Sequence, residues 1–153
     1  MKIENYITAS CLINNNTVYK KGLPVFQEKE LELPELLVAA YRHFELQYPK
    51  FHKMDNLSKL GWLASEVLLQ SGFEKEKYKP EEIGIILSNA NASLDTDIRF
   101  YETTKTIASP AQFVYTLPNI VIGEISIRYH FKGENAFFIA EAFDAGFMEQ
   151  YIG

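Results

Sequence analysis

Few residues in this chain can do covalent or acid–base chemistry, and they are scattered. Cys11 is the single cysteine, and His43, His52 and His130 are the only histidines. Cys11 falls in an alternating apolar segment. Packing there raises a thiol's pKa, so an inert buried cysteine is the reading and a substitute nucleophile the alternative. The three histidines lack metal-ligand spacing. His43 sits among Tyr and Phe on a helical pattern and reads as a satisfied structural histidine. His52 and His130 read as loop or helix-end residues. Asp95, Asp97 and Glu102 form a carboxylate group. A solvated helix start accounts for it, because acids favour amino-terminal turns; a hard-cation site is the alternative. No metal and no cofactor are expected.

Two further stretches hold polar groups where a site could form. Asn89-Ala90-Asn91-Ala92-Ser93 follows an apolar run, at the end where open α/β sheets build ligand loops. Glu141-Ala142-Phe143-Asp144-Ala145-Gly146 ends a second apolar run, and Glu141 needs a partner if it is buried. No Cys, Ser or Thr occurs from Ala136 to Gly153. This small-residue turn therefore offers no thiol or hydroxyl nucleophile.

The elements that must position these residues follow from periodicity. Tyr6 to Asn14 alternates as a strand does. Asn14-Asn15-Asn16 marks a turn, and Thr17-Val18-Tyr19 returns as a short second strand. Pro34 fits the first turn of a helix through Leu36, Leu37, Ala40, Tyr41 and Phe44, ended by Pro49. Asp55 or Asn56 caps a helix carrying Leu57, Leu60, Leu63, Ala64, Val67 and Leu68, with Gly72 at its stop. Ile83-Gly84-Ile85-Ile86-Leu87-Ser88 is a near-continuous apolar run that fits a strand buried on both faces. Helices are expected over Asp95 to Thr104 and Leu117 to Tyr129. Ala136 to Ala142 is expected as the last strand, and Ala145 to Tyr151 as the start of a final helix. Alternating strands and helices give an α/β class with a mixed, mostly parallel sheet flanked by helices. No linker or repeat interrupts the chain, so one domain over residues 1–153 is expected.

Bulk properties narrow the function. The chain has 153 residues, 47% hydrophobic and 23% charged, with 11 Phe and 9 Tyr. That suits a packed core, with some rings left for a partner or an apolar ligand. A formal net charge of -5 argues against a phosphate-binding surface, and Lys75, Lys77 and Lys79 are flanked by acids, so no nucleic-acid partner is expected. A single cysteine excludes an internal disulfide and suits a reducing compartment. Residues 1–5 lack a signal peptide's apolar run, and no segment is long enough to span a bilayer. A cytoplasmic protein without membrane insertion is expected.

The ordered pieces resemble the amino-terminal half of a β-ketoacyl-acyl carrier protein synthase, a member of the thiolase-like superfamily. Asp55 to Gly72 looks like that family's alanine-rich helix. Ile83 to Ser93 is similar to its strand and small-residue loop. Ser109-Pro110, Phe113 and Asn119 match the segment before a packed helix. Gly133-Glu134-Asn135 looks like the turn into the nucleophile strand. The resemblance implies a thiolase-like half-fold and an acyl-transfer reaction. That reaction needs a cysteine at the start of a buried helix, where the dipole and free amides favour thiolate and oxyanion.

Two departures remove that chemistry. Phe143 stands at the family's nucleophile position, and a phenyl ring cannot form a thioester. Asp144 beside it disfavours an anion. The second half of the family's fold, with its histidines, is not in this sequence. No catalytic residue is therefore assigned. The expected function is a catalytically silent synthase-like subunit of the chain-length-factor kind, in fatty-acid or polyketide-type, including pigment, biosynthesis. Its partners would be a second copy or a full-length synthase, with acyl carrier protein as a further one. The alternatives are an active 3-oxoacyl-ACP synthase completed by a partner chain, and an acyl-chain binding module. Candidate interface or pocket residues are Asn89, Asn91, Ser93, Phe137, Phe138, Ile139, Glu141 and Phe143.

Overall fold

Asn15 and Asn16 both hold left-handed backbone angles, φ 46° and 55°, which a two-residue hairpin turn requires and Asn tolerates. In the computed structural model, which describes residues 6–70 and 72–153, they join β1 (Cys11–Asn14) to β2 (Thr17–Lys20) in antiparallel register, Asn14 opposite Thr17 and Cys11 opposite Lys20. Residues 1–5, read above for a signal peptide, lie outside the described residues, as does Ser71. Lys21 and Gly22, both at positive φ, turn β2 into β3 (Leu23–Gln27), which completes a three-stranded sheet in the order β1-β2-β3. The alternation from Tyr6 predicts a longer first strand than forms. β2 is only four residues long, and the ladder closes where the Lys21 amide donates to the Ser10 carbonyl at 2.9 Å. β3 carries Pro24, which lacks an N–H and belongs on an edge strand; the alternation gave no sign of this strand.

The chain divides into two compact units, one of Ile7–Glu74 and one built on Lys75–Gly153. In the first, α1 (Leu33–His43) starts with Pro34 in its opening turn and buries Leu36, Leu37, Ala40 and Tyr41. A 3₁₀ turn at Pro49–Lys53 inserts Phe51 into the core. Asp55 caps α2 (Asn56–Leu69), its carboxylate accepting from the Ser58 amide at 3.0 Å. The buried face of α2 is Ser58, Trp62, Leu63, Glu66 and Val67. The expected leucine stripe is thus rotated toward Trp62, the largest fully buried side chain. Rings organise this core. Tyr41 stacks on Phe51 at 4.4 Å and Tyr48 on Trp62 at 5.0 Å between centroids. His43 packs against Phe26 and Phe44, with Nε2 3.2 Å from the Val25 carbonyl oxygen. His52 lies edge-on to Tyr41 and Phe51.

The second unit is an α/β arrangement. β4 (Ile85–Asn89) is followed by α3 (Leu94–Thr104), α4 (Pro110–Val114) and α5 (Ile120–Tyr129), and then by β5 (Asn135–Ile139), which pairs parallel to β4. α6 (Ala145–Ile152) closes the chain. The register runs from Ile85 opposite Asn135 to Asn89 opposite Ile139. Two glycines set the entry of this pair. A Cβ on Gly84 would sit 2.6 Å from the Glu134 carbonyl oxygen, and one on Gly133 2.5 Å from that of Ile83. The class is mixed α/β, but the strands form two small sheets, one antiparallel and one parallel, rather than one mixed sheet. β4 is half-buried along its length rather than buried on both faces, because a single neighbouring strand pairs with it. Among the described residues, β4 and β5 each keep one edge without a strand partner. No helix of the described residues is long and apolar enough to cross a membrane.

Candidate functional site at the carboxyl ends of the parallel strands

Parallel pairing brings the carboxyl ends of β4 and β5 side by side, and both polar stretches singled out in the sequence begin there. The Ala140 amide donates to the Asn89 carbonyl at 3.0 Å and extends the ladder one bond past the last strand residue. The Asn89 side chain then folds its own loop. Its Oδ1 accepts from the Ala92 amide at 2.9 Å and its Nδ2 donates to the Ala92 carbonyl at 2.8 Å. This pair of bonds holds Ala92 at φ 48°, a conformation disfavoured for a residue with a Cβ.

Ser93 is buried and tied in three ways. Its hydroxyl donates to the Thr116 carbonyl at 2.6 Å and lies 3.2 Å from both carboxylate oxygens of Asp97. Asn91 is exposed. Asn89 and Ser93 are thus committed to local architecture, which stabilises the loop and leaves Asn91 at its surface. Asp97, read in the sequence as part of a solvated helix-start carboxylate group, instead holds the Ser93 hydroxyl; Thr116 was not singled out, since a backbone acceptor gives no chemical signal.

On the other strand, alternation sends Phe138 to one face and Phe137 with Ile139 to the other. Phe138 meets α6 edge-on, against Phe147 at 4.9 Å and Tyr151 at 5.0 Å. The helix therefore packs back over the strand that precedes it. β5 ends at Ile139, three residues before the expected limit of Ala142, and Ile139, Glu141 and Phe143 are exposed. Glu141 accordingly has water about it rather than a buried charge to satisfy.

Phe143 is the last residue before the cap of α6 and is 73% exposed. Asp144 is that cap. Its Oδ1 accepts from the Phe147 amide at 2.9 Å, taking one of the free amides at the helix start and placing a negative charge at the positive end of the dipole. The sequence signal for this role was present: Asp three residues ahead of an apolar helical position. Beyond the turn, the Tyr151 hydroxyl donates to Glu134 Oε1 at 3.2 Å. That hydrogen bond, with burial and the carboxylate's charge, pushes the phenol above its ordinary pKa. The pair borders an open groove of about 460 Å³ that also touches Glu82, Gly84, Ile86 and Ile152.

The remaining reactive residues each have a local setting. Cys11 is half-buried in β1, where burial raises its thiol pKa and the Lys20 charge partly offsets the rise. Asp95 pairs with Arg99 at 2.8 Å and Glu102 with Lys105 at 2.5 Å. His130 caps α5 in a left-handed conformation, φ 57°. Among the described residues no three His, Cys, Asp or Glu side chains come together to hold a metal. The arrangement at the strand ends can cap a helix, fix a loop and present apolar rings; its one hydroxyl–carboxylate contact, Ser93 with Asp97, is buried and shared with the Thr116 carbonyl. No protein-family model matches the chain, and no curated protein matches it in sequence.

Proposed function

We propose that the chain is a catalytically silent β-ketoacyl-ACP synthase-like protein, a partner subunit of the chain-length-factor kind in fatty-acid or polyketide-type biosynthesis. The observation that carries the reading is the order strand, turn, helix at β5–α6. The turn holds Phe143 immediately ahead of the helix start, the place where the resembled family needs its cysteine. A phenyl ring there removes the thioester step. The Asp144 carboxylate already occupies a free amide that would otherwise stabilise a thiolate or an oxyanion. The open edge of β5 supports a role as partner, because an unpaired strand edge invites pairing with another chain. Thiolase-like dimers join corresponding strands across a two-fold axis.

The test is incubation of the purified chain with acyl- and malonyl-acyl carrier protein, followed by intact mass spectrometry. No acyl adduct is expected on this chain, with or without a full-length synthase present. A thioester on it would overturn the silent reading in favour of an active enzyme completed by a partner.

A further inference from the structure

Pairing with β5 uses one side of β4 only. The Ile85 amide donates to the Glu134 carbonyl at 3.1 Å, and the Asn89 carbonyl accepts from the Ala140 amide at 3.0 Å. The odd-numbered residues of β4 thus turn their backbone groups toward β5. Alternation turns those of Ile86 and Ser88 the other way, to an edge with no strand partner among the described residues. The open groove of about 460 Å³ touches Gly84 and Ile86 of this stretch. Ile86 lies opposite Ala136, on the face from which Phe138 meets α6. Tyr151 and Ile152, at the end of α6, form the groove's other wall.

The groove's chemistry selects its occupant. Unpaired N–H and C=O groups along a strand edge take an extended backbone. Ile86 and Ile152 offer apolar contact, and Ile152 is exposed. Glu82 and Glu134 add two carboxylates, with no cation among the lining residues. Each carboxylate is positioned from within the chain. Glu82 accepts from the Lys79 amide at 2.8 Å and Glu134 from the Tyr151 hydroxyl at 3.2 Å. Both bonds come from neutral donors, so both charges remain. Gly84 has no side chain, and neighbouring strands lie ~4.8 Å apart. A long basic side chain on an added strand can therefore cross Gly84 toward Glu134. A second copy does not meet these demands. Antiparallel pairing about Ile86 would set Ala90 opposite Glu82, and residues 89–92 hold no cation.

We propose that the β4 edge receives an extended segment of another protein by strand addition. That segment carries Lys or Arg opposite Gly84 and an apolar side chain two residues away, against Ile86 and Ile152. The carboxylates admit a basic strand and repel an acidic one. The inference rests on the β4 edge, not on the β5 edge that supports the synthase-like reading, so the two stand or fall separately.

The probe is a short, capped, fluorescein-labelled peptide alternating Arg and Val, titrated into the full chain and read by anisotropy. Saturable binding is expected. Hydrogen exchange should slow at the Ile86 and Ser88 amides and stay unchanged at Ile85 and Leu87, which already bond to β5. Glu82→Gln and Glu134→Gln should each raise the dissociation constant about two- to fivefold, the scale of an exposed charge pair. Added salt should erase that difference. Absence of binding overturns the proposal. So does binding that leaves the Ile86 amide unprotected, or equal binding of a peptide with Glu in place of Arg. A chain that dimerises alone with the Ile86 amide already protected gives the edge to a second copy and overturns it too. None of these results bears on acyl transfer, which is read by mass spectrometry.

Discussion

The carboxylate of Asp144 accepts a hydrogen bond from the backbone amide of Phe147 at 2.9 Å. One contact thereby starts the last helix and takes one of its free amides. Asp144→Ala should destabilise α6 by about 1 kcal/mol, with Asp144→Asn losing less, since Asn also caps well. Hydrogen exchange at the Phe147 amide is the measurement, and about a fivefold acceleration corresponds to that loss. An unchanged rate would mean that Phe138 packing alone holds the helix end.

Phe143 precedes that cap and is mostly exposed. Phe143→Cys should change stability by no more than about 0.5 kcal/mol, as expected of an exposed site. The new thiol sits beside the Asp144 charge, so its alkylation rate should titrate at or above the ordinary ~8.5 of a free cysteine. Adding Asp144→Ala should lower that midpoint by freeing the amide and removing the charge. A thiolate already formed near neutrality in the single variant would show that the helix start outweighs the Asp144 charge.

The entry to the parallel pair depends on two glycines. Gly84→Ala and Gly133→Ala each drive a methyl into a backbone carbonyl, at 2.6 and 2.5 Å. Each should cost about 1–3 kcal/mol, the range for overpacking against atoms that cannot rotate away. Gly123→Ala lies within α5 with nothing within 4 Å of the new methyl, so it should stabilise by up to ~1 kcal/mol. Urea unfolding of the three variants gives the contrast, and equal effects would mean that β4 and β5 separate without cost.

Cys11 couples stability to alkaline pH. Burial raises its pKa in the folded chain above the unfolded value, with Lys20 opposing. Below the unfolded thiol's pKa both states are protonated, and the group has no effect on pH dependence. As pH rises through the interval between the two values, the unfolded chain loses its proton first and stability falls. Cys11→Ala should flatten this alkaline limb, read from urea midpoints against pH. Reaction of the native thiol with an alkylating reagent should also be slow at neutral pH and rise only above the ordinary thiol range.

Where the sequence carried a local physical rule, it placed the element. Asn15-Asn16 fixed a hairpin because few residues tolerate φ above zero twice in succession. Pro34 and Asp55 marked the starts of α1 and α2, one lacking an N–H that would go unused, the other supplying an acceptor. The β-branched run before Ser88 and the aromatic run after Asn135 each gave a strand, and their parallel pairing followed from the intervening helices. The absence of Cys, Ser and Thr after Ala136 removed a thiol or hydroxyl nucleophile from the final turn without any coordinates.

Tertiary structure decided what depended on distant partners. Only pairing could shorten the first strand to Cys11–Asn14 and add β3, because a strand ends where its neighbour's bonds run out. Only packing could rotate the buried face of α2 toward Trp62, since ring stacking outweighs the leucine spacing. Ser93 looked like a loop hydroxyl open to ligands; a carbonyl 23 residues away claims it. Leu94, Ile98 and Tyr101 share one face of α3, where a helix is expected over Asp95 to Thr104 with no buried face assigned. Folding leaves that face uncovered, because no spacing rule within a helix states which surface the rest of the chain will reach.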